Sequence, residues 1–307
     1  MRIDDQRRSS NFEDRGTGRG GGGGAAGVPI QALLSVVRLL GFKGTLIAGA
    51  MLAIGFFVLP AGVKQELLGA LTGGGEAGLS TPGAGSVCDA SAANGAACDF
   101  SRVVLASTED VWTQQFERGA LPNYGSAPGA YRHPTLVVFT NSVSTGGCGD
   151  ATSDVGPFYC PGDQKLYIDP GFYSVMERRL RAPGDFAQAY VIAHEVGHHV
   201  QNLIGSSRLK TRGETSNQNS VRVELQADCL AGVWGHTARA LLQITDDDLG
   251  EALTAAHAIG DDTLGHSDER KFTHGTSEQR KRWFRRGFES GDARQCDTFA
   301  TQNNREL

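Results

Sequence analysis

The stretch VIAHEVGHHV, from Val191 to Val200, constrains this chain more than any other feature. His194 and His198 are four residues apart, so on a helix their side chains project from nearly the same face, about 6 Å apart along the axis. Two imidazoles arranged in this way can bind one zinc ion at ~2.0–2.1 Å. Glu195 lies about 100° further round the helix, beside the metal, where it can act as general base toward a water molecule. The motif also occurs on helices whose histidines are only hydrogen-bonded, so a second feature is needed.

A downstream apolar stretch, RVELQADCLAGVWG, supplies that second feature. Glu224 and Asp228 are again four residues apart on one face. A catalytic zinc keeps three protein ligands and an open position, and Glu224 is a candidate third ligand. Asp228, one turn further on, can accept the second N–H of a ligand histidine and fix its tautomer. The alternative is a solvated acidic face, but two unpaired carboxylates in so apolar a stretch would be costly.

HExxH followed by ExxxD on a later helix resembles the gluzincin metallopeptidases. The stretches GPFYCP, YVIAHEVGHHVQ, ELQADCLAGVWGH, AIGDD and FTHGTSEQR resemble more closely the bacterial putative neutral zinc metallopeptidase family, over about residues 100–299. The resemblance implies a zincin-like fold, endopeptidase activity and a single N-terminal membrane segment. It implies that Zn²⁺ is the cofactor and that Glu195 is the general base and proton shuttle. The ligands would be His194, His198 and Glu224, with Asp228 the partner of His194.

The segment THGTSEQR resembles the THP…R element of some membrane-bound gluzincins, with Gly275 where they have proline. This resemblance makes His274 a candidate for stabilising the tetrahedral oxyanion and Arg280 a candidate for positioning it. The alternative for His274 is a structural place at the start of the last helix. Asp261 and Asp262 could bind a cation, although acids just past a helix end are commonly a solvated turn.

Twenty residues without a charge lie between Lys43 and Lys64. At ~1.5 Å per residue, a helix of this length spans the ~30 Å core of a bilayer. Seven Lys or Arg precede the segment, and none follows Lys64 before Arg102, so the positive-inside rule places the N-terminus in the cytoplasm. We predict a disordered glycine-rich cytoplasmic tail (1–40), a transmembrane helix (41–63), a flexible linker (64–99) and a zinc metallopeptidase domain (100–300). A cleaved signal peptide or a buried helix are the alternatives for the apolar segment.

All six cysteines follow the apolar segment, and their even number is typical of disulfides formed in an oxidising compartment. Six cysteines allow 15 pairings. Cys88–Cys98 and Cys148–Cys160 are the local options, which would leave Cys229 and Cys296 for a long-range bridge. The domain is therefore expected at the cell membrane on the periplasmic or extracytoplasmic side. The net charge of −5 gives no reason to expect a nucleic-acid partner.

Short β-branched runs precede the helical segments, a pattern that favours an α+β fold. TLVVFT (135–140) and KLYID (165–169) read as strands, and we hypothesise that one of them is the cleft edge to which a peptide adds as a further strand. Asp185 can cap a helix that continues to Ile204. A further helix is expected near 221–242. Capping boxes at Thr245/Asp248 and Thr276/Gln279 predict two more.

These observations predict a zincin-like α+β metallopeptidase domain with a single N-terminal transmembrane helix. The predicted function is hydrolysis of peptide bonds in a protein or peptide substrate, with the membrane as a second partner through the N-terminal helix. Two other functions stay open: a zincin-fold scaffold protein whose zinc is structural, and a zinc amidase that acts on a cell-wall substrate.

Overall fold

A four-stranded sheet carries the strands that the β-branched runs predict. The structure is a computed structural model that describes residues 1–17, 85–125, 128–300 and 307. The strand order is β1–β2–β6–β5, in which β1, β2 and β6 are parallel and β5 is antiparallel to β6. The strands are β1 (Phe12–Thr17), β2 (Thr135–Thr140), β5 (Phe158–Cys160) and β6 (Lys165–Ile168). A separate hairpin pairs β3 (Ser142–Ser144) with β4 (Asp150–Thr152).

Six α-helices lie in the described part of the chain and form a mixed α+β arrangement with the sheet. They are α1 (Ala92–Glu117), α2 (Gly171–Arg178), α3 (Asp185–Ile204), α4 (Ser216–Ala238), α5 (Asp246–Ala258) and α6 (Ser277–Ser290). Leu136 and Val138 of β2 face the helices, whereas Val137 and Phe139 face a second apolar cluster on the other side of the sheet. Because β2 is covered on both faces, its sequence is apolar throughout rather than alternating.

Local sequence signals set the ends of the helices. The predicted capping boxes at Thr245/Asp248 and Thr276/Gln279 are both present, and a third, at Thr215/Gln218, begins α4. Helix α3 ends at Ile204 as predicted, because Gly205 adopts the left-handed conformation with φ +82°. The prediction that Asp185 caps α3 is wrong. The cap position is Gly184, and Asp185 is the first helical residue.

The prediction of a zincin-like fold with one N-terminal transmembrane helix is wrong in its membrane part. No helix in the described ranges combines the length and the apolar character that a bilayer crossing requires. The predicted span, 41–63, lies outside the described residues. A single crossing there would place residues 1–40 and 100–300 on opposite sides of a membrane. Strand β1 instead pairs in parallel with β2, within the same sheet.

The N-terminal segment and the end of the predicted linker belong to the folded unit. Residues 1–17, predicted as part of a disordered tail, contain β1, and its Asp14 carboxylate accepts hydrogen bonds from the backbone N–H groups of Val87 and Cys88, both at 3.0 Å. Helix α1 begins at Ala92, inside the range predicted as linker (64–99). Both predictions are therefore wrong where residues are described. The physical reason is that both segments are held by partners far along the chain, through polar contacts and through apolar residues such as Phe12 and Val87 that pack on the core.

Glu109 on α1 is the main polar anchor of the N-terminal segment. Its side chain is only 1% exposed. It accepts hydrogen bonds from the Ser9 hydroxyl at 2.6 Å, the Asn11 amide at 2.7 Å and the Arg7 guanidinium at 2.9 Å. The neighbouring Asp110 also contacts Arg7, at 2.7 Å, but its side chain is 52% exposed. The two acids therefore offer a matched pair for testing whether this segment stabilises the domain.

We expect Glu109→Ala to lower the free energy of unfolding by about 3 kcal/mol, because Ser9 and Asn11 lose their buried acceptor. Asp110→Ala should cost less than about 1 kcal/mol, since it removes only an exposed ion pair. Denaturant unfolding of the full chain measures both values. Equal effects of the two substitutions would contradict the anchoring role of Glu109.

The three disulfides are Cys88–Cys98, Cys148–Cys160 and Cys229–Cys296, and no cysteine is free. These are the pairs that the local options predicted. The first links the start of α1 to the segment that contacts Asp14, and the third joins α4 to the C-terminal segment. Disulfides of this kind persist in oxidising compartments. The extracytoplasmic location stays a prediction.

The hypothesis that β6 or β2 is the cleft edge is wrong. Strand β2 lies between β1 and β6, and β6 lies between β2 and β5, so both are interior strands. The edge on the β6 side is β5, which was not predicted as a strand. It is only three residues long, too short for a periodic pattern to be recognised in the sequence.

Candidate active site

Helices α3 and α4 meet closely at Gly197, one residue before His198. A Cβ atom at Gly197 would lie 3.0 Å from the Ala227 carbonyl oxygen, closer than side-chain carbons normally approach. Glycine therefore lets the two helices approach at this point. The approach brings the HEVGH face of α3 against the face of α4 that carries Glu224 and Asp228.

The three predicted metal ligands converge where these helices meet. Ring nitrogens of His194 and His198 and a carboxylate oxygen of Glu224 all lie within 4.8 Å of one another. Nε2 of His194 is 3.2 Å from one Glu224 oxygen, and Nε2 of His198 is 3.5 Å from the other. Ligand atoms of a tetrahedral zinc at ~2.0–2.1 Å are roughly 3.3 Å apart, so the donor set and its spacing fit zinc.

Asp228 orients the first of these histidines. Its Oδ1 atom lies 2.9 Å from Nδ1 of His194. Because an ionised carboxylate only accepts hydrogen bonds, Nδ1 donates to Asp228, which leaves Nε2 as the ring nitrogen that faces Glu224. The same Oδ1 atom accepts a hydrogen bond from the Tyr190 hydroxyl at 2.5 Å. Sequence reasoning found Asp228 but missed Tyr190, which lies one turn before His194 on the same buried face.

Gln201 orients the second histidine and was also missed. Its amide nitrogen donates to the Val223 carbonyl at 2.7 Å and to the Gln226 side chain at 3.1 Å, so its Oε1 atom is the acceptor. Nδ1 of His198 lies 2.8 Å from that oxygen and therefore donates to it. Nε2 of His198 is thereby left on the Glu224 side. The available sequence signal was a glutamine three residues after a candidate ligand histidine on the same helix, and the structure buries it fully.

Arg280 lines the same cavity as His274, and the contacts of its guanidinium are with Asp228 and its neighbours. It forms a two-pronged ion pair with Asp228, with both N–O distances 2.8 Å, and its side chain is 2% exposed. Burial opposes ionisation of both partners, yet their mutual attraction keeps the pKa of Asp228 below its usual value and that of Arg280 well above. Arg280 is therefore linked to the candidate ligand His194 through Asp228.

The electrostatics of the site keep Glu224 ionised. Burial alone would raise the pKa of Glu224, but His198 and His194 lower it well below the usual range. Burial likewise opposes the charge on His194, and hydrogen bonds to Asp228 and Glu224 raise its pKa to about 9. Without a metal, a proton therefore occupies the space between these donors. Zinc binding would displace that proton.

Glu195 faces a cavity of about 1050 Å³ together with His194, His198 and Glu224. Burial raises the pKa of Glu195, and the two histidines only partly offset this. A carboxylate that gains a proton more readily than usual is suited to proton transfer near neutral pH. The other walls of the cavity are formed by α2, by β5 and by the segment around His274.

His274 lines the same cavity and is held by Asp261. The buried Asp261 carboxylate accepts hydrogen bonds from the backbone N–H groups of Thr273, His274 and Gly275 at 2.7–3.0 Å. Nδ1 of His274 lies 3.3 Å from the other Asp261 oxygen. Asp262 accepts a backbone hydrogen bond from Ser277 at 2.7 Å. Asp261 is therefore a buried anchor of the His274 segment, and the exposed Asp262 holds the start of α6 from a turn.

Asp185, Asp248 and Glu251 form a second group of acids with metal-compatible spacing in the described ranges. The Met1 amino nitrogen already lies 2.7 Å from Asp248 and 3.2 Å from Asp185. The carboxylates therefore have a cationic partner, and the group contains no histidine. Its composition does not suit zinc.

A family comparison supports this reading of the HEVGH site. The sequence profile described as "Putative neutral zinc metallopeptidase" matches residues 1–299. The chain belongs to this family. The neutral zinc metallopeptidase family thus covers the N-terminal segment as well as the helical part.

Relatives in this family are similar along most of their length. The Escherichia coli K12 protein named "Uncharacterized protein YpfJ" is 43% identical over 318 aligned positions, which cover 97% of this chain and 99% of the relative. "Uncharacterized protein Mb2605" of Mycobacterium bovis is 43% identical over 187 positions, 55% of this chain and 64% of the relative. No solved structure matches the chain.

Proposed function

We propose that this protein is a zinc-dependent endopeptidase. The observation that carries the proposal is the position of Glu195. Its carboxyl group faces the same cavity as the atoms of His194, His198 and Glu224 that suit a zinc ion. The family membership supports zinc peptidase chemistry, and the three-residue donor set leaves an open position for a reacting water.

The residues of the chain divide the reaction between them. Zinc, when bound by His194, His198 and Glu224, supplies a Lewis acid that polarises the scissile carbonyl and activates a water molecule. Glu195 takes the proton of the attacking water and later delivers it to the leaving amine. Its raised pKa favours this exchange, because the carboxyl group must gain and lose a proton in each turnover.

His274 is the proposed donor to the oxyanion of the tetrahedral intermediate. Nδ1 of its ring lies on the Asp261 side, so Nε2 is free to face the cavity that His274 lines. A hydrogen-bond donor placed where negative charge develops stabilises the transition state more than the ground state. Asp261 acts as a positioning residue, because it fixes both the ring and the backbone of this segment.

The free edge of β5 is the proposed binding site for the substrate backbone. Phe158 and Tyr159 of this strand line the cavity next to the candidate metal ligands. A peptide that adds to this edge as a further strand gains main-chain hydrogen bonds while its scissile bond lies over the metal site. Strand β5 thus takes the place of β2 and β6, which the sequence had suggested as the strand to which a peptide adds.

The test of the proposal is peptide cleavage measured together with metal content on the full chain. We expect one zinc per chain by mass spectrometry and cleavage of a broad peptide library. Dialysis against a chelator should remove both, and added zinc should restore both. Zinc binding without cleavage of any peptide would contradict the endopeptidase function and favour a scaffold. Cleavage of a cell-wall amide in place of peptides would favour the amidase.

A further inference from the structure

His199 follows the second candidate ligand but its ring lies on a different side of α3. The residue is fully buried, and its ring extends from α3 toward the edge strand β5 and the segment before β2. Nδ1 lies 3.0 Å from the Tyr159 hydroxyl, and Nε2 lies 2.6 Å from the Arg132 carbonyl oxygen. One imidazole thus joins the metal-binding helix to the edge strand and to a third segment.

The direction of each of these hydrogen bonds follows from donor and acceptor chemistry. A carbonyl oxygen only accepts, so Nε2 of His199 carries the proton and donates to Arg132. With that proton on Nε2, Nδ1 is left as the acceptor of a hydrogen bond from the Tyr159 hydroxyl. Burial raises the pKa of Tyr159 to about 12, and the hydroxyl keeps its proton. The Asn202 amide donates to the same oxygen at 3.2 Å.

Strand β5 is anchored at Cys160 by the Cys148–Cys160 disulfide, and Tyr159 joins the middle of the strand to α3. The strand has three residues and pairs with β6 on one side only. Its register pairs Phe158 with Tyr167 and Cys160 with Lys165. Successive side chains alternate between faces: the Phe158 ring stacks on Tyr167 on the far face, whereas Tyr159 turns toward α3. Tyr159 is therefore the residue of β5 whose side chain contacts the helix of the candidate metal ligands, α3.

We propose that His199 and Tyr159 are positioning residues that hold the edge of β5 at a fixed distance from the candidate metal ligands. They thereby determine how tightly a substrate segment binds along this edge. The inference rests on the proposed peptidase function. It assigns a task to a histidine that neither binds metal nor transfers a proton in that mechanism.

Tyr131 provides a matched control for Tyr159. The rings of both tyrosines contact the His199 ring edge-on, with centroid distances of 5.7 Å for Tyr131 and 5.4 Å for Tyr159. The Tyr131 hydroxyl is buried but has no hydrogen-bond partner among the described residues. Tyr131→Phe and Tyr159→Phe each remove one hydroxyl from a ring that contacts the same imidazole. Only the second breaks the tether.

The test measures peptide binding on the full chain in a Glu195→Gln background, so that no cleavage is needed. A long peptide, which reaches along β5, is compared with a short one that covers only the residues next to the scissile bond. We expect Tyr159→Phe to weaken binding of the long peptide about tenfold and of the short peptide less than twofold. Tyr131→Phe should change neither. In the active protein, Tyr159→Phe should raise KM for the long peptide and leave kcat within twofold.

Two results would overturn the inference: equal loss of long and short peptide binding in Tyr159→Phe, or equal effects of the two tyrosine variants. Nitrogen NMR of His199 gives a readout that needs neither zinc nor turnover. The wild-type ring should carry its proton on Nε2, and Tyr159→Phe should shift the Nδ1 resonance toward that of a free acceptor. An unshifted Nδ1 resonance would contradict the tether. A wild-type protein that binds the long peptide but cleaves nothing would contradict the proposed function alone.

Discussion

Glu195→Gln is expected to retain one zinc per chain and to lower kcat/KM for peptide cleavage by about 10³-fold, a typical contribution of general acid–base catalysis. The amide that replaces the carboxyl group is nearly the same size, but it cannot accept a proton from water at neutral pH. The donor atoms of His194, His198 and Glu224 are untouched, so the metal should stay. Metal analysis by mass spectrometry and steady-state kinetics on one identified peptide measure the two quantities.

Glu289→Gln is the control for this substitution. Glu289 lies on α6 with its side chain exposed, so the same chemical change should alter neither zinc content nor rate. Wild-type activity in Glu195→Gln would show that another group takes the proton. Loss of zinc in Glu195→Gln would show that Glu195 supports the metal site rather than the reaction.

Arg280→Leu is expected to lower the free energy of unfolding by about 3–5 kcal/mol, because it leaves the fully buried Asp228 carboxylate without its cation. Asp228 accepts from the guanidinium through both oxygens and also holds His194, so its orientation should loosen as well. We therefore also expect zinc affinity to fall about 10- to 100-fold, as for other residues that orient metal ligands. Denaturant unfolding of the metal-free chain and zinc titration measure the two effects separately.

Two further variants make the Arg280 prediction specific. Arg285→Leu, an exposed position on the same helix, should change stability by less than about 0.5 kcal/mol. Arg280→Lys keeps the charge but cannot form the two-pronged contact, so it should lie between wild type and Arg280→Leu. If Arg280→Leu unfolds like Arg285→Leu, the ion pair with Asp228 does not stabilise the fold.

The features that the sequence predicted well are those encoded locally. His194 and His198 share a face because a helix turns by a fixed angle per residue, and Glu224 and Asp228 share one for the same reason. The capping boxes at Thr245 and Thr276 join residues three apart, and Gly205 ends α3 through its own backbone conformation. The two local cysteine options, which the sequence left open among 15 pairings, are both present and join residues 10 and 12 positions apart.

The features that the sequence did not predict depend on partners far along the chain. Arg280 meets Asp228 across 52 residues, and the Glu109 carboxylate holds Ser9 across 100. The segment FEDRGT was predicted to be part of a disordered tail because its many charged residues are not typical of a strand. In the structure it forms β1, and Lys165 contacts its Glu13 at 2.5 Å. No local sequence pattern predicts a contact between residues so far apart along the chain.

The sequence by itself therefore determined the candidate site: two histidines and two carboxylates at helical spacing, with a glutamate beside them. Only the tertiary structure decided which strand forms the edge of the cleft, where Arg280 acts and what His199 holds. Which strand forms an edge depends on the strand order of the sheet. Strand β5 is an edge strand because it pairs only with β6, whereas β2 and β6 each have two neighbours. The spacing along one helix is determined by covalent geometry, whereas the neighbours of a strand are determined by which distant segments pack together.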